Sequence, residues 1–199
     1  MIYLIRRNDK MKNTNIYVIH GYTSSSEGEW FPWLKEQFKD GLTTTYIPNM
    51  PNSDNPYLEP WLNHLRQSIP DIDENTIFIG HSLGCVTSLL YILEKNIKIK
   101  GAILVSGFIN RNPMKEQTEG LQEFVNVVLD IERIKSLIPS RTVITATDDD
   151  IVPTEATQKL AKEIDAKLII LSSGKHFIAR DGYTKFPVLL NEIQKLITE

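Results

Sequence analysis

"FIGHSLGCV", residues 78–86, decides how this chain is read. A β-branched apolar run ends in Gly80-His81-Ser82-Leu83-Gly84, and a long apolar helical pattern follows. Strand, G-x-S-x-G turn and helix together form the arrangement that aims a serine hydroxyl above the end of a sheet. Glycines on either side remove side chains that would clash in so sharp a turn. The helix N-terminus behind the serine favours a developing anion. The plainer reading is an ordinary serine in a tight turn, and the flanking pattern argues against it. Val86, Leu89, Leu90, Ile92 and Leu93 leave the following helix apolar over most of its circumference, so it belongs in the interior, packed under a sheet.

Outward from that turn, short β-branched runs alternate with helical patterns. The strand candidates are residues 16–20, 44–48, 76–80, 102–106, 142–146 and 167–172. Most are apolar on both faces, as central parallel strands are. Apolar stripes at helical spacing fall between and after them: Leu58, Trp61, Leu62, Leu65 and Ile69; Leu121, Phe124, Val125 and Val128; Ala156, Leu160, Ala161 and Ile164; Phe186, Leu189, Leu190, Ile193 and Ile197. The expected fold is α/β: a three-layer α/β/α sandwich around a mostly parallel central sheet. The polar stretch 110–120 has room for a small flap but not for a large lid. Residues 1–14 read as an N-terminal extension, partly flexible, whose first ten residues are dispensable. Residues 15–199 read as a single domain.

Composition bounds the partners. With 199 residues the chain can bury one continuous core. A net charge of −3 gives no basic footprint for nucleic acid or an anionic membrane. No apolar run approaches the roughly 18 residues of a spanning helix. The single cysteine, Cys85, excludes an internal disulfide, suits a reducing cytoplasmic compartment, and reads as a small buried filler. No glycine-rich phosphate loop follows any strand, which disfavours a doubly wound nucleotide-binding module. No cofactor and no metal are expected, and monomer and homodimer both stay open.

A serine needs a base, and the base needs an acid. His20 ends the first strand and shapes a loop; His64 lies at a helix border; His81 braces the turn beside Ser82. His176, in "SSGKHFIAR" after the last strand, falls at the sheet edge that carries Ser82 and is the expected base. The acid comes from "TATDDDIVPTEA", residues 145–156. Asp149 is favoured, with Asp150 and Asp148 as the fallbacks. One oxyanion-hole N–H should come from Leu83, the residue after the nucleophile, and the other from Tyr22, with Thr23 a weaker candidate. Tyr22 and Trp30, with Trp33 and Trp61, are candidates for an apolar acyl pocket, although helix tryptophans more often pack in cores.

These residues resemble a family. "VIHGYTSSSEGEWFPWLKEQF" (18–38), "IPNMPNSDNPYLEPWLNHL" (47–65), "FIGHSLGC", "DDDIVP" and "GKHF" are similar to the corresponding loops of small α/β-hydrolases related to retinoblastoma-binding protein 9 and the bacterial YdeN-type proteins. The resemblance spans about residues 15–198. It implies a compact α/β-hydrolase with little or no cap and a Ser-His-Asp triad, the acid standing three residues before a Val-Pro pair and so at Asp149. The retinoblastoma-binding motif L-x-C-x-E is absent, so that partner is not implied. The expected activity is acyl transfer to water from small ester-like substrates. An amidase or aminopeptidase would use the same parts, and a non-catalytic protein-binding module could keep the scaffold.

Overall fold

Strands apolar on both faces must be covered twice, and the computed structural model of the protein shows how. It describes residues 13–39, 41–69, 71–109 and 118–198. Six strands form one sheet in the order β2-β1-β3-β4-β5-β6: β1 (Thr14–Ile19), β2 (Thr43–Tyr46), β3 (Thr76–His81), β4 (Gly101–Val105), β5 (Ser140–Ala146) and β6 (Lys167–Leu171). Every pairing is parallel. Alternate residues then part to opposite faces. Tyr17, Ile19, Phe78, Ala102, Leu104 and Val143 join one apolar cluster. Ile16, Val18, Ile77, Ile79, Ile103, Val105 and Ile144 join the other.

Helices α2 (Leu58–Ser68), α3 (Leu83–Lys95), α4 (Glu119–Val125), α5 (Ile131–Leu137) and α6 (Thr154–Glu163) contribute to the first cluster. Helices α1 (Phe31–Glu36) and α7 (Pro187–Thr198) contribute to the second. This is a three-layer α/β/α sandwich. Helix α3 is buried from Leu83 through Leu89 and again at Tyr91 and Ile92, as its all-round apolar pattern requires.

One local element differs from its sequence pattern. Val128 falls in an apolar stripe at helical spacing, but α4 ends at Val125 and Val128 is 89% exposed. A separate helix, α5, follows, started by Asp130, whose carboxylate accepts from the Arg133 N–H at 2.9 Å. The N-terminal extension lies outside the described residues up to position 12, and β1 already begins at Thr14. Residues 110–117 of the expected flap also lie outside them.

The sheet order reverses between β1 and β3, so a crevice opens where the loops after these strands diverge. Two buried histidines stand at these strand ends, His20 just after β1 and His81 as the last residue of β3. His20 accepts from the Met50 N–H through Nε2 at 2.9 Å, which leaves Nδ1–H to donate to the Gly21 carbonyl at 2.9 Å. His81 donates through Nε2 to the His176 carbonyl at 2.8 Å. Burial pushes the His20 pKa down, and burial together with the nearby His176 takes His81 down to about 3. Both rings are therefore neutral in the fold.

Two outcomes follow from this packing. Ile103 is fully buried in a central strand, so Ile103→Ala should lower the unfolding free energy by about 2–5 kcal/mol in urea titrations. The buried histidines set a pH dependence. Their folded pKa values lie below the unfolded 6.5, so the unfolded chain binds more protons in between. Their stabilisation is complete above about pH 6.5 and declines as pH falls, for His81 toward about 3. The urea midpoint should hold steady near pH 7–8 and fall continuously from pH 6.5 to 4; a midpoint flat over that lower range would contradict neutral, buried rings.

Candidate active site

Ser82 follows β3 and caps α3 with φ 54 and ψ −119, a backbone region that non-glycine residues avoid. Such a conformation costs about 1–3 kcal/mol and persists because its surroundings dictate it. The Ser82 N–H donates to the Val105 carbonyl of β4 at 2.9 Å, and the Ser82 carbonyl accepts from Cys85 N–H at 3.0 Å. The sharp turn also brings α3 against β1: a Cβ on Gly84 would lie 2.0 Å from the Ile19 carbonyl oxygen. Only a glycine lets these backbones meet. On the other side the first loop passes so close that a Cβ on Gly21 would stand 2.8 Å from Ser82 Cβ.

The acid loop divides its labour. Asp149, whose side chain is wholly buried, lies 3.0 Å from His176 Nδ1 through each of its carboxylate oxygens. Its Oδ1 accepts the N–H groups of Ile151 and Val152 at 3.0 and 2.9 Å, and its Oδ2 accepts the Ser106 hydroxyl at 2.7 Å. Burial alone would raise this carboxyl. The hydrogen bond and charge of His176, with the Ser106 hydroxyl and the Val152 N–H, outweigh it and hold Asp149 below the usual carboxylate range. A carboxylate only accepts, so His176 Nδ1 carries a proton in this contact.

Asp148 faces a different stretch of backbone. Its Oδ1 accepts from the Gly174 and Lys175 N–H groups at 3.0 and 2.8 Å, pinning the chain just before His176. Asp150 lies beyond both, with no contact to His176 among its described interactions.

Ser82 and His176 line one cavity of about 120 Å³, together with Gly21, Tyr22, Thr23, Glu29, Ile151 and Arg180 among its wall residues. The two loops that face each other across it are tied. The Glu29 carboxylate accepts from the Ala179 N–H on one side and from the Ser24 hydroxyl, at 3.2 Å, on the other. Of the two first-loop amides, that of Thr23 is committed to the Ser53 carbonyl at 2.7 Å. Leu83 opens α3, where N–H groups lack intrahelical acceptors.

The tryptophans part company with the expected acyl pocket. Trp30 is fully buried, edge-on to Phe186 at 5.5 Å, and does not line the cavity. Trp61 is likewise core, its indole N–H donating to the Pro51 carbonyl at 2.8 Å. Their size makes them anchors for the loops rather than walls of the cavity. Cys85 is buried, its thiol pushed up by burial. Sequence reasoning missed Ser106 and Glu29; a serine closing a strand next to the acid's strand was the available signal for the first, and Glu29 gave none. Among the described residues no cluster of histidine, cysteine or carboxylate side chains could hold a metal, and no helix is long and apolar enough to cross a membrane.

Comparison with known proteins finds relatives over most of the chain. The chain is 38% identical over 176 residues to YdeN of Bacillus subtilis (strain 168), covering 87% of this chain and 91% of that one. It is 25% identical over 171 residues to the serine hydrolase RBBP9 of Rattus norvegicus, covering 85% and 87%. The crystal structure of the ydeN gene product superposes with a TM-score of 0.88 at 35% identity, over 94% of this chain and all of that one. The family model described as serine hydrolase matches residues 16–195, and the protein belongs to that family of α/β-fold hydrolases.

Proposed function

We propose that the protein is a carboxylesterase-type serine hydrolase whose catalytic residues are Ser82, His176 and Asp149. The observation that carries this reading is the buried Asp149 on His176 Nδ1, with the imidazole and the strained Ser82 sharing one cavity. His176 Nε2 takes the Ser82 proton as Oγ attacks an ester carbonyl. The tetrahedral oxyanion is held by the N–H groups of Leu83 and Tyr22. The imidazolium, stabilised by Asp149, protonates the departing alcohol and leaves an acyl-enzyme. Water, deprotonated by the same Nε2, attacks that acyl carbonyl. Collapse of the second intermediate returns the proton to Ser82 and releases the acid.

Cavity size bears on the substrate. About 120 Å³ is far below the roughly 300–1,000 Å³ of sites that enclose drug-sized ligands. A short acyl group fits there beside Tyr22 and Ile151, and the leaving alcohol extends outward. A reducing cytoplasmic setting suits the one buried, unpaired cysteine.

Purified protein should hydrolyse p-nitrophenyl acetate or butyrate with kcat/KM at least on the order of tenfold above the dodecanoate. Ser82→Ala and His176→Ala should each lower kcat by roughly 10⁴-fold or more while leaving the urea midpoint near that of the parent. Ester hydrolysis that survives Ser82→Ala would overturn the assignment. Folded protein inert toward esters, thioesters and anilides alike would point to a binding module on this scaffold.

A further inference from the structure

We infer that Ser106 is a positioning residue, its hydroxyl holding Asp149 in the orientation that His176 needs. This rests on the reading of Ser82, His176 and Asp149 given above and extends it by one side chain. Ser106 follows β4 and is fully buried. Its backbone sits at φ 48, in the left-handed region that a serine occupies only under constraint. That constraint is visible. The Ser106 N–H donates to the Ile144 carbonyl of β5 at 2.8 Å, repeating one strand over the bond from Ser82 N–H to Val105. The conformation thus fixes where the side chain leaves the sheet edge, and the hydroxyl lands 2.7 Å from Asp149 Oδ2.

The oxygen it meets is the one the backbone leaves unsupported. Two amides, Ile151 and Val152, bond Oδ1, whereas Oδ2 has the Ser106 hydroxyl and a share of His176 Nδ1. A hydroxyl donating to a carboxylate makes a short, charge-assisted bond, stronger than its neutral counterpart. Removing it would let the carboxylate turn about its Cβ–Cγ bond and would concentrate negative charge on Oδ2. The imidazole would then be less well aimed. The Asp149–His176 pair would also keep its proton to higher pH, leaving less free base at neutrality. Ser106 is absent from the cavity wall, so substrate binding should scarcely change.

Steady-state hydrolysis of p-nitrophenyl acetate by the full-length protein between pH 5 and 9 tests this. Ser106→Ala removes the hydroxyl alone. Ser106→Gly removes it while relieving the backbone, which keeps the test open if the alanine variant folds poorly. Both should lower kcat on the order of tenfold with KM within about twofold, and should move the acid limb of kcat/KM upward by roughly half a pH unit or more. A folded variant with parental kcat and an unmoved acid limb overturns the inference. So does a kcat loss matched by a KM rise with the limb in place, which would mark a merely structural role. Ser82→Ala, assayed in parallel, separates the two levels: if it silences the enzyme, failure at Ser106 is failure of this inference alone, and if it retains activity, both fall.

Discussion

The site depends on a ladder of backbone hydrogen bonds that outlasts the strands themselves. Ser82 N–H bonds Val105 of β4, Ser106 N–H bonds Ile144 of β5, and Thr147 N–H bonds the Leu171 carbonyl of β6, at 2.8–2.9 Å. Each donor is the first residue, or nearly so, past the end of its strand. In a parallel sheet such bonds are evenly spaced and slanted, so neighbouring strand ends are held in register. The loops that carry chemistry therefore start from a fixed edge. Two of these residues, Ser82 and Ser106, hold positive φ angles that no isolated serine would prefer. The sheet sustains that strain, and the strain turns both hydroxyls to where they are found.

Electrostatics completes what the ladder begins. A carboxylate buried as deeply as Asp149 would ordinarily take up a proton. Here the backbone of 151–152, the Ser106 hydroxyl and the imidazole supply enough donors to keep it ionised. The neighbouring Asp148 spends its charge on the backbone of 174–175. Adjacent carboxylates that would repel in water are thus separated by function: one orients the histidine ring, the other anchors the loop that bears it. His81 adds a third hold, through the His176 carbonyl, and does so as a neutral ring that puts no like charge beside the imidazole.

Much of this was legible in the sequence because its signals are local. β-branched runs of five or six residues marked all six strands within about two residues of their ends, since burial on both faces admits little else. The G-x-S-x-G turn was readable because its glycines answer to backbone contacts, as Gly84 does against Ile19. The misreadings arise where tertiary contacts decide. Val128 carries an apolar side chain at helical spacing, yet the helix stops before it and a new one starts at Asp130. Trp30 could as well have faced a ligand as Phe186, and nothing short of the packed fold separates the two. Ser106 and Glu29 act through partners 43 and 150 residues away, which a spacing rule cannot reach.

If Asp149, His176 and Ser82 act together as proposed, one alcohol of this protein is reactive. The most direct measurement is peptide mapping by mass spectrometry after treating the folded protein with a fluorophosphonate. A single phosphonyl adduct per chain, on Ser82 Oγ, should form rapidly in the parent and be suppressed when His176 is replaced. Folded protein that stays unmodified, or that is modified at a different residue, would contradict it.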